Sequence, residues 1–382
     1  MYKKRILTGD RPTGRLHLGH YVGSLKNRVK LQEEYDCYFI IADLHTLTTQ
    51  PEKTDELKEN IHQLVLDYLS VGIDPTKATI FVQSQVPQIS ELAIIFGNLV
   101  SVPRLERVPT LKDVMRDANI KIPSFGLLGY PVLQAADILS VRADLVPVGR
   151  DQASHIEVTR EIAREFNRLY PIGALRSSRQ FGESSNTSAP AELGVRSRRR
   201  GTLGKISPHA EAPRASTDGA VFPIPEALIP GDLGTLPGTD GKAKMSKSAG
   251  NVINLSDDSE TVKKKVMGMY TDPKRIHGDE AGDTQSNPVF VYLRVFGSEN
   301  HESRIKEFEN KYKKGAVGDV EVKEFLFEVL EEFLQPLRIL RRKYEGQPEL
   351  IEKILKEGTQ KTTKEAQKTL NEVKGVMKLI YF

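Results

Sequence analysis

Cysteine is all but missing from this sequence: Cys37 is the only one among 382 residues. A single thiol excludes an intrachain disulfide framework, a four-cysteine metal centre and an iron–sulfur cluster. It sits in the apolar run 37–42, where a reduced, buried thiol is expected. Long hydrophobic stretches are lacking too. The basic start Met1-Tyr2-Lys3-Lys4-Arg5 is followed only by Ile6 and Leu7 before Thr8-Gly9-Asp10, too short for a secretory h-region, and no later run could span a bilayer. The chain is therefore expected in the cytoplasm, with no membrane partner. Nor does one sign of charge dominate. Fifty-five Lys and Arg face 51 Asp and Glu, a net charge of +4 that admits a polyanionic partner without pointing to one. Internal repeats are absent, and so is tryptophan.

What is present suffices for two domains, since 382 residues with 38% hydrophobic content bury one large core or two smaller ones. In the first half, short apolar runs alternate with helical patterns. Residues 6–8 read as a strand, and Leu18, Val22, Leu25 and Val29 then recur at helical spacing. Runs 37–42, 78–82 and 145–148 read as strands, and 55–69, 89–100, 133–141 and 151–169 as helices. This alternation predicts an α/β fold, a doubly wound parallel-sheet, Rossmann-like catalytic domain whose first part is 1–170. The pattern stops there. Residues 171–220 are rich in Ser, Arg and Pro and carry Arg196-Ser197-Arg198-Arg199-Arg200. So polar a stretch cannot offset the entropy of ordering itself, so a disordered insertion is expected. Its charge run is read as a solvated loop in preference to an RNA contact. Residues 221–255 are loop-rich and return to the catalytic domain. Residues 256–382 read as a helical C-terminal domain, with Leu326, Val329, Leu330, Phe333, Leu334 and Leu337 forming one amphipathic stripe.

Two short motifs carry chemistry. His17-Leu18-Gly19-His20 falls between the first strand and the first helix. A helix N-terminus offers unpaired N–H groups, Gly19 admits a nucleotide close to the backbone, and two imidazoles can donate to phosphate oxygens. In isolation these residues read first as a pair of surface or capping histidines; their place after the first strand of an α/β pattern shifts the reading towards a ligand. Further on, Lys244-Met245-Ser246-Lys247-Ser248 lies in a Gly-rich loop. Two lysines on a mobile loop can close over a triphosphate and neutralise charge as pyrophosphate leaves, although a solvated lysine loop is the plainer alternative.

In this order on an α/β pattern, the two motifs resemble the HIGH and KMSKS signatures of class I aminoacyl-tRNA synthetases. Within that class, Gly9-Asp10-Arg11-Pro12-Thr13-Gly14, Asp43-Leu44-His45, the stretch 130–139 around Gln134-Ala135-Ala136-Asp137, and Val146-Pro147-Val148-Gly149-Arg150-Asp151-Gln152 resemble tryptophanyl-tRNA synthetases. The likeness spans the chain except 171–220. Bacterial tyrosyl-tRNA synthetases would show Gly-Gly-Ser-Asp-Gln where this chain has Val-Gly-Arg-Asp-Gln. Two positions depart from the family pattern: Arg11 is more basic than usual, and Val114 stands where a lysine is common, so pyrophosphate neutralisation is distributed differently. A chain without tryptophan also suits an enzyme whose synthesis should not depend on its own product.

The resemblance implies activation of L-tryptophan by ATP, with Mg²⁺ bound to the ATP, and transfer to tRNA(Trp). It implies His17, His20, Lys244 and Lys247 as catalytic residues. ATP is expected to meet Asp10, Arg11, Pro12, Gly19, His20, Gly149, Arg150, Asp151, Leu236, Lys244, Met245, Ser246, Lys247 and Ser248. Tryptophan is expected to meet Asp137, Gln152, His45, Leu7, Val146 and Val148. For Asp137 physics agrees: the indole N–H only donates, and an acceptor-only carboxylate among apolar neighbours suits it. No protein-held metal is expected, the helical domain should read the anticodon, and the family's active form is a homodimer. Two other readings stay open: a tyrosyl enzyme or a nucleotidylyltransferase using His-x-Gly-His, and a catalytically silent RNA-binding paralogue.

Overall fold

The computed structural model describes residues 3–149, 153–172, 219–229, 236–242, 244–247, 249–272, 275 and 280–381. Nearly all of the expected 171–220 insertion lies outside these residues. Five parallel strands form the sheet: β1 (Arg5–Asp10), β2 (Asp36–Ile41), β3 (Ala78–Val82), β4 (Leu145–Pro147) and β5 (Glu226–Leu228), in the order β3-β2-β1-β4-β5. The order reverses beside β1, so a crevice opens at the carboxyl ends of β1 and β4, where ligands of such sheets bind.

Alternation along the strands explains why both faces are covered. Ile6, Cys37, Phe39, Ile41 and Ile80 join one apolar cluster; Leu7, Tyr38, Ile40, Phe81, Val146 and Val148 join another. Helices α1 (Lys26–Glu34) and α2 (Leu57–Ser70) contribute to the first cluster. Helices α3 (Pro87–Gly97), α4 (Phe125–Ser140) and α5 (Ala153–Leu169) contribute to the second. The sequence places the first helix correctly but not its form: a turn Leu18–His20 and a π-helical stretch Tyr21–Leu25 precede α1. Helix α4 starts eight residues before the expected 133, with Ser124 Oγ accepting the Leu127 N–H at 3.1 Å as its cap. Strand β5 falls in the segment expected as loop; three residues between prolines carry too little pattern to be seen.

The C-terminal region is helical, as expected. It comprises α6 (Ser259–Met267), α7 (Pro288–Phe296), α8 (Glu302–Lys313), α9 (Asp319–Glu345) and α10 (Pro348–Val376). The first apolar cluster runs on into these helices through Val262, Phe290, Leu326, Leu330 and Ile354, and Leu370 and Val373 of α10 join the second. Helix α10 also covers the free edge of the sheet. Thr359 Oγ1 accepts the Val82 N–H at 3.4 Å, and Lys361 Nζ donates to Thr79 Oγ1 at 2.8 Å. Gly358 makes this approach possible, since a Cβ there would lie 1.9 Å from Ile80 O.

Candidate active site

Beyond the carboxyl end of β1 the chain passes Arg11-Pro12-Thr13-Gly14 and enters a helical turn that His17 caps with its own ring. His17 Nδ1 accepts the Gly19 N–H at 3.1 Å, and His20 Nδ1 accepts the His17 N–H at 3.2 Å. With both Nδ1 atoms accepting, each neutral ring carries its proton on Nε2 and offers that N–H as a donor. The two ring centroids are 3.8 Å apart. Burial, then the neighbouring His20 and the lysines at 247 and 244, holds His17 down to about 3. Burial likewise holds His20 down to about 4, against the opposing pull of Asp10, with Lys247, Arg28 and Lys244 adding to the lowering. At neutral pH both rings are therefore uncharged.

Asp10 is committed within the protein: its Oδ2 accepts from Arg28 Nη1 and Tyr68 OH, each at 2.7 Å. Burial pushes this carboxyl up, but the Arg28 guanidinium and the Tyr68 hydroxyl help hold it below the usual range. Pro12 is buried, whereas Arg11 is exposed, with Nη1 3.5 Å from Thr49 Oγ1.

The downstream lysine loop lies directly over this turn. A Cβ on Gly19 would come within 3.2 Å of the Met245 Cβ and 3.0 Å of the His17 ring, so glycine here admits the loop itself. Met245 and Leu236 are both buried, and the Met245 N–H donates to Leu236 O at 3.3 Å. Asn251 fastens the loop's far end: its Oδ1 accepts the Ser246 N–H at 2.8 Å and its Nδ2 donates to Asp240 at 3.1 Å. Lys247 reaches back to the loop after β1, donating to Gly14 O at 2.9 Å and Thr13 O at 3.3 Å. Burial lowers its pKa, partly offset by Asp10 and Asp67. Lys244 is exposed.

On the other face of the sheet stands Asp137, on α4 and almost fully buried. Its neighbours in sequence are apolar, as expected, but in space it is partnered. Gln83, at the carboxyl end of β3, donates to both its oxygens at 2.8 and 2.9 Å, and His45 Nε2 lies 3.0 Å from Oδ2. Burial raises the Asp137 pKa, while His45 and Gln83 oppose the shift. Leu7, Val146 and Val148 belong to the apolar cluster that includes Tyr130, Ala135, Ala136 and Ile138. The structure thus joins His45 to Asp137 directly, and places Leu7, Val146 and Val148 in the apolar cluster on the same face of the sheet. Gly149, half-buried, follows β4. Arg150, Asp151, Gln152 and Ser248 lie outside the described residues. Gln83 and Asn251 escaped sequence reasoning; the only signal for Gln83 was a polar residue just past a buried strand. Among the described residues, no group of three or more His, Cys, Asp or Glu side chains gathers to hold a metal.

Comparison with known proteins points the same way. The family of class I tRNA synthetases (W and Y) matches residues 2–335. The tryptophan–tRNA ligase of Treponema pallidum is 48% identical over 377 residues, covering 98% of this chain and 97% of the relative. That of Borreliella burgdorferi is 45% identical, covering 99% and 95%. Among solved structures, the tryptophanyl-tRNA synthetase of Campylobacter jejuni, complexed with ADP and tryptophan, superposes with a TM-score of 0.76 at 29% identity. The match covers 98% of this chain and 99% of that one.

Proposed function

The chain belongs to the class I tRNA synthetases for tryptophan and tyrosine, and from that premise we infer that it is a tryptophan–tRNA ligase. It activates L-tryptophan with ATP and transfers the amino acid to tRNA(Trp), releasing diphosphate and AMP. The observation that carries this reading is the meeting of the two motif elements, with Met245 packed against Gly19 at the crevice where the strand order reverses.

Chemistry follows from what converges there. A carboxylate oxygen of tryptophan attacks the α-phosphorus of ATP, and the bond to the bridging oxygen breaks as diphosphate leaves. We propose that the Nε2–H groups of His17 and His20 orient the phosphates, and that Lys247 exchanges its Gly14 and Thr13 carbonyl partners for phosphate oxygens in the transition state. Lys244, exposed on the same loop, adds a second positive charge. The ATP brings its Mg²⁺ on its own phosphates, as a cation that favours phosphate oxygens and water over an all-protein cage. In the second step a ribose hydroxyl of the tRNA attacks the acyl carbon and AMP departs.

Asp137 accepts the indole N–H in this proposal, held by Gln83 and His45, while Leu7, Val146 and Val148 line the pocket. Leu236, Met245 and Gly149 meet the nucleotide, joined by Arg150, Asp151 and Ser248, with Gln152 at the amino acid. The helical region reads the tRNA anticodon. We further propose a cytoplasmic homodimer, supported by the exposed apolar side chains Ile94, Val102 and Phe125 on adjoining helices. No helix among the described residues is long and apolar enough to cross a membrane. ATP–diphosphate exchange driven by each amino acid separately tests the reading. Tryptophan should drive it far better than tyrosine or phenylalanine; preference for tyrosine would leave the class intact and overturn the substrate.

A further inference from the structure

Helix α9 carries two arginines three residues apart, Arg338 and Arg341, both more than nine-tenths buried. Each leads to a different support of the His17 turn. Arg341 is ion-paired with Asp67 Oδ1, and Oδ2 of the same carboxylate accepts the Leu16 N–H at 2.7 Å. Asp67 is wholly buried on α2, and Gln63, one turn before it, also accepts from Arg341. Arg338 donates to Asp257 O at 3.0 Å, and its charge is matched by Glu331. The Asp257 carboxylate in turn accepts from the Asn254 N–H at 2.8 Å and from Asn254 Nδ2 at 3.1 Å. Asn254 pairs with His17 across an antiparallel bridge, flanked by Leu18 N–H to Ile253 O and Leu255 N–H to Leu16 O, both 2.9 Å.

Two arms that start on one helix therefore end on the backbone of residues 16–18, on either side of His17. Neither arginine lies in the catalytic machinery. A buried ion pair adds little net stability over well-packed apolar residues of the same volume, but it does select one arrangement of the parts it joins. Arginine suits this use, because its planar fork holds several acceptors at fixed angles and keeps its charge. We propose that Arg338 and Arg341 are positioning residues through which α9 braces the His17–His20 turn and sets the geometry at which the imidazoles meet ATP. The proposal rests on the reading of His17 and His20 as phosphate ligands.

Single-turnover adenylate formation in the full chain, with the Michaelis constant for tryptophan measured alongside, tests it. Arg341→Gln is expected to slow adenylate formation on the order of ten- to a hundredfold, the scale of a small misplacement of reacting groups, with the tryptophan constant nearly unchanged. Arg341→Lys, which keeps the charge, should recover part of the rate. In a His20→Ala background the Arg341→Gln change should cost much less, because the group it positions is gone. An undiminished cost in that background, or parallel losses in rate and tryptophan binding, would overturn the proposal. Should Arg341→Gln fail to fold, Asp67→Asn combined with Arg341→Gln leaves no stranded charge; a parental rate in that protein overturns the brace. Failure of the parent to form any adenylate would instead sink the functional reading, and the same assay reports it.

Discussion

Asp137 already holds hydrogen bonds from Gln83 on both oxygens and from His45 on one. A carboxylate offers about four acceptor positions, so capacity remains for one ligand N–H. On the proposed assignment, Asp137→Ala leaves the indole donor buried and unpaired, at a cost of about 1–3 kcal/mol. Tryptophan affinity should fall about ten- to a hundredfold while ATP affinity hardly changes. Discrimination against phenylalanine should weaken as well, because a carboxylate with no ligand donor is no longer left behind. Equilibrium binding and exchange with both amino acids check this, and parental tryptophan affinity in the variant would make Asp137 a purely structural residue. The two histidines give a pH prediction. Their ordinary pKa of 6.5 applies to the unfolded chain, while the folded values are about 3 and about 4. Below 6.5 the unfolded chain therefore binds protons that the folded one refuses. The stability contribution is fully present above that pH and is lost as pH falls from 6.5 toward 3. Urea denaturation at pH 7 and pH 4.5 should show a smaller acid loss in a His17→Gln, His20→Gln double variant than in the parent; equal losses would contradict neutral, desolvated rings. The histidines and Asp137 were legible because motifs mark them. Gln83 and Asn251 were not, since a glutamine after a strand or an asparagine after a loop gains its meaning only from what the fold places opposite it.

Strands β1 to β4 are legible as short apolar runs, although β1, which spans Arg5–Asp10, shows only its middle at 6–8 because Arg5 and Gly9-Asp10 carry no strand pattern. Helix α4 was read only in its second half because Gly126, Gly129 and Pro131 weaken helical propensity across its first two turns. Tertiary packing overrides that weakness, with Leu127, Tyr130 and Val132 buried in the second core. No periodicity could have revealed that α10 seals the edge of β3, because the contact is between backbones at Gly358. There lies a prediction about packing. In an ordinary exposed helix Gly→Ala stabilises by roughly 1 kcal/mol. At position 358 a Cβ meets the Ile80 carbonyl, so Gly358→Ala should instead destabilise by about 1–3 kcal/mol as the helix is forced off the strand. A urea midpoint that rises would contradict the close approach of α10 to β3.

Across the whole molecule, the sequence order of the two motifs conceals how near they are: some 230 residues separate Gly14 from Lys247, yet Lys247 Nζ donates to Gly14 O at 2.9 Å. The fold closes that gap by pairing residues 253–255 with 16–18 and by tying the base of the lysine loop to the helical region, where Tyr292 OH donates to Pro237 O at 2.7 Å and the Tyr270 N–H to Thr239 O at 2.8 Å. The parts were legible in the sequence as motifs, and the joinery was not, because it consists of backbone bonds and buried side chains far apart in the chain. The central claim is that this joined site stabilises the transition state of tryptophan activation. Single-turnover adenylate formation by Lys247→Ala, with tryptophan binding measured on the same protein, tests it most directly. A lysine that meets the phosphates mainly in the transition state contributes to rate more than to ground-state binding. Adenylate formation should be abolished while tryptophan still binds with parental affinity; an unchanged rate would remove the loop from the chemistry and contradict the account.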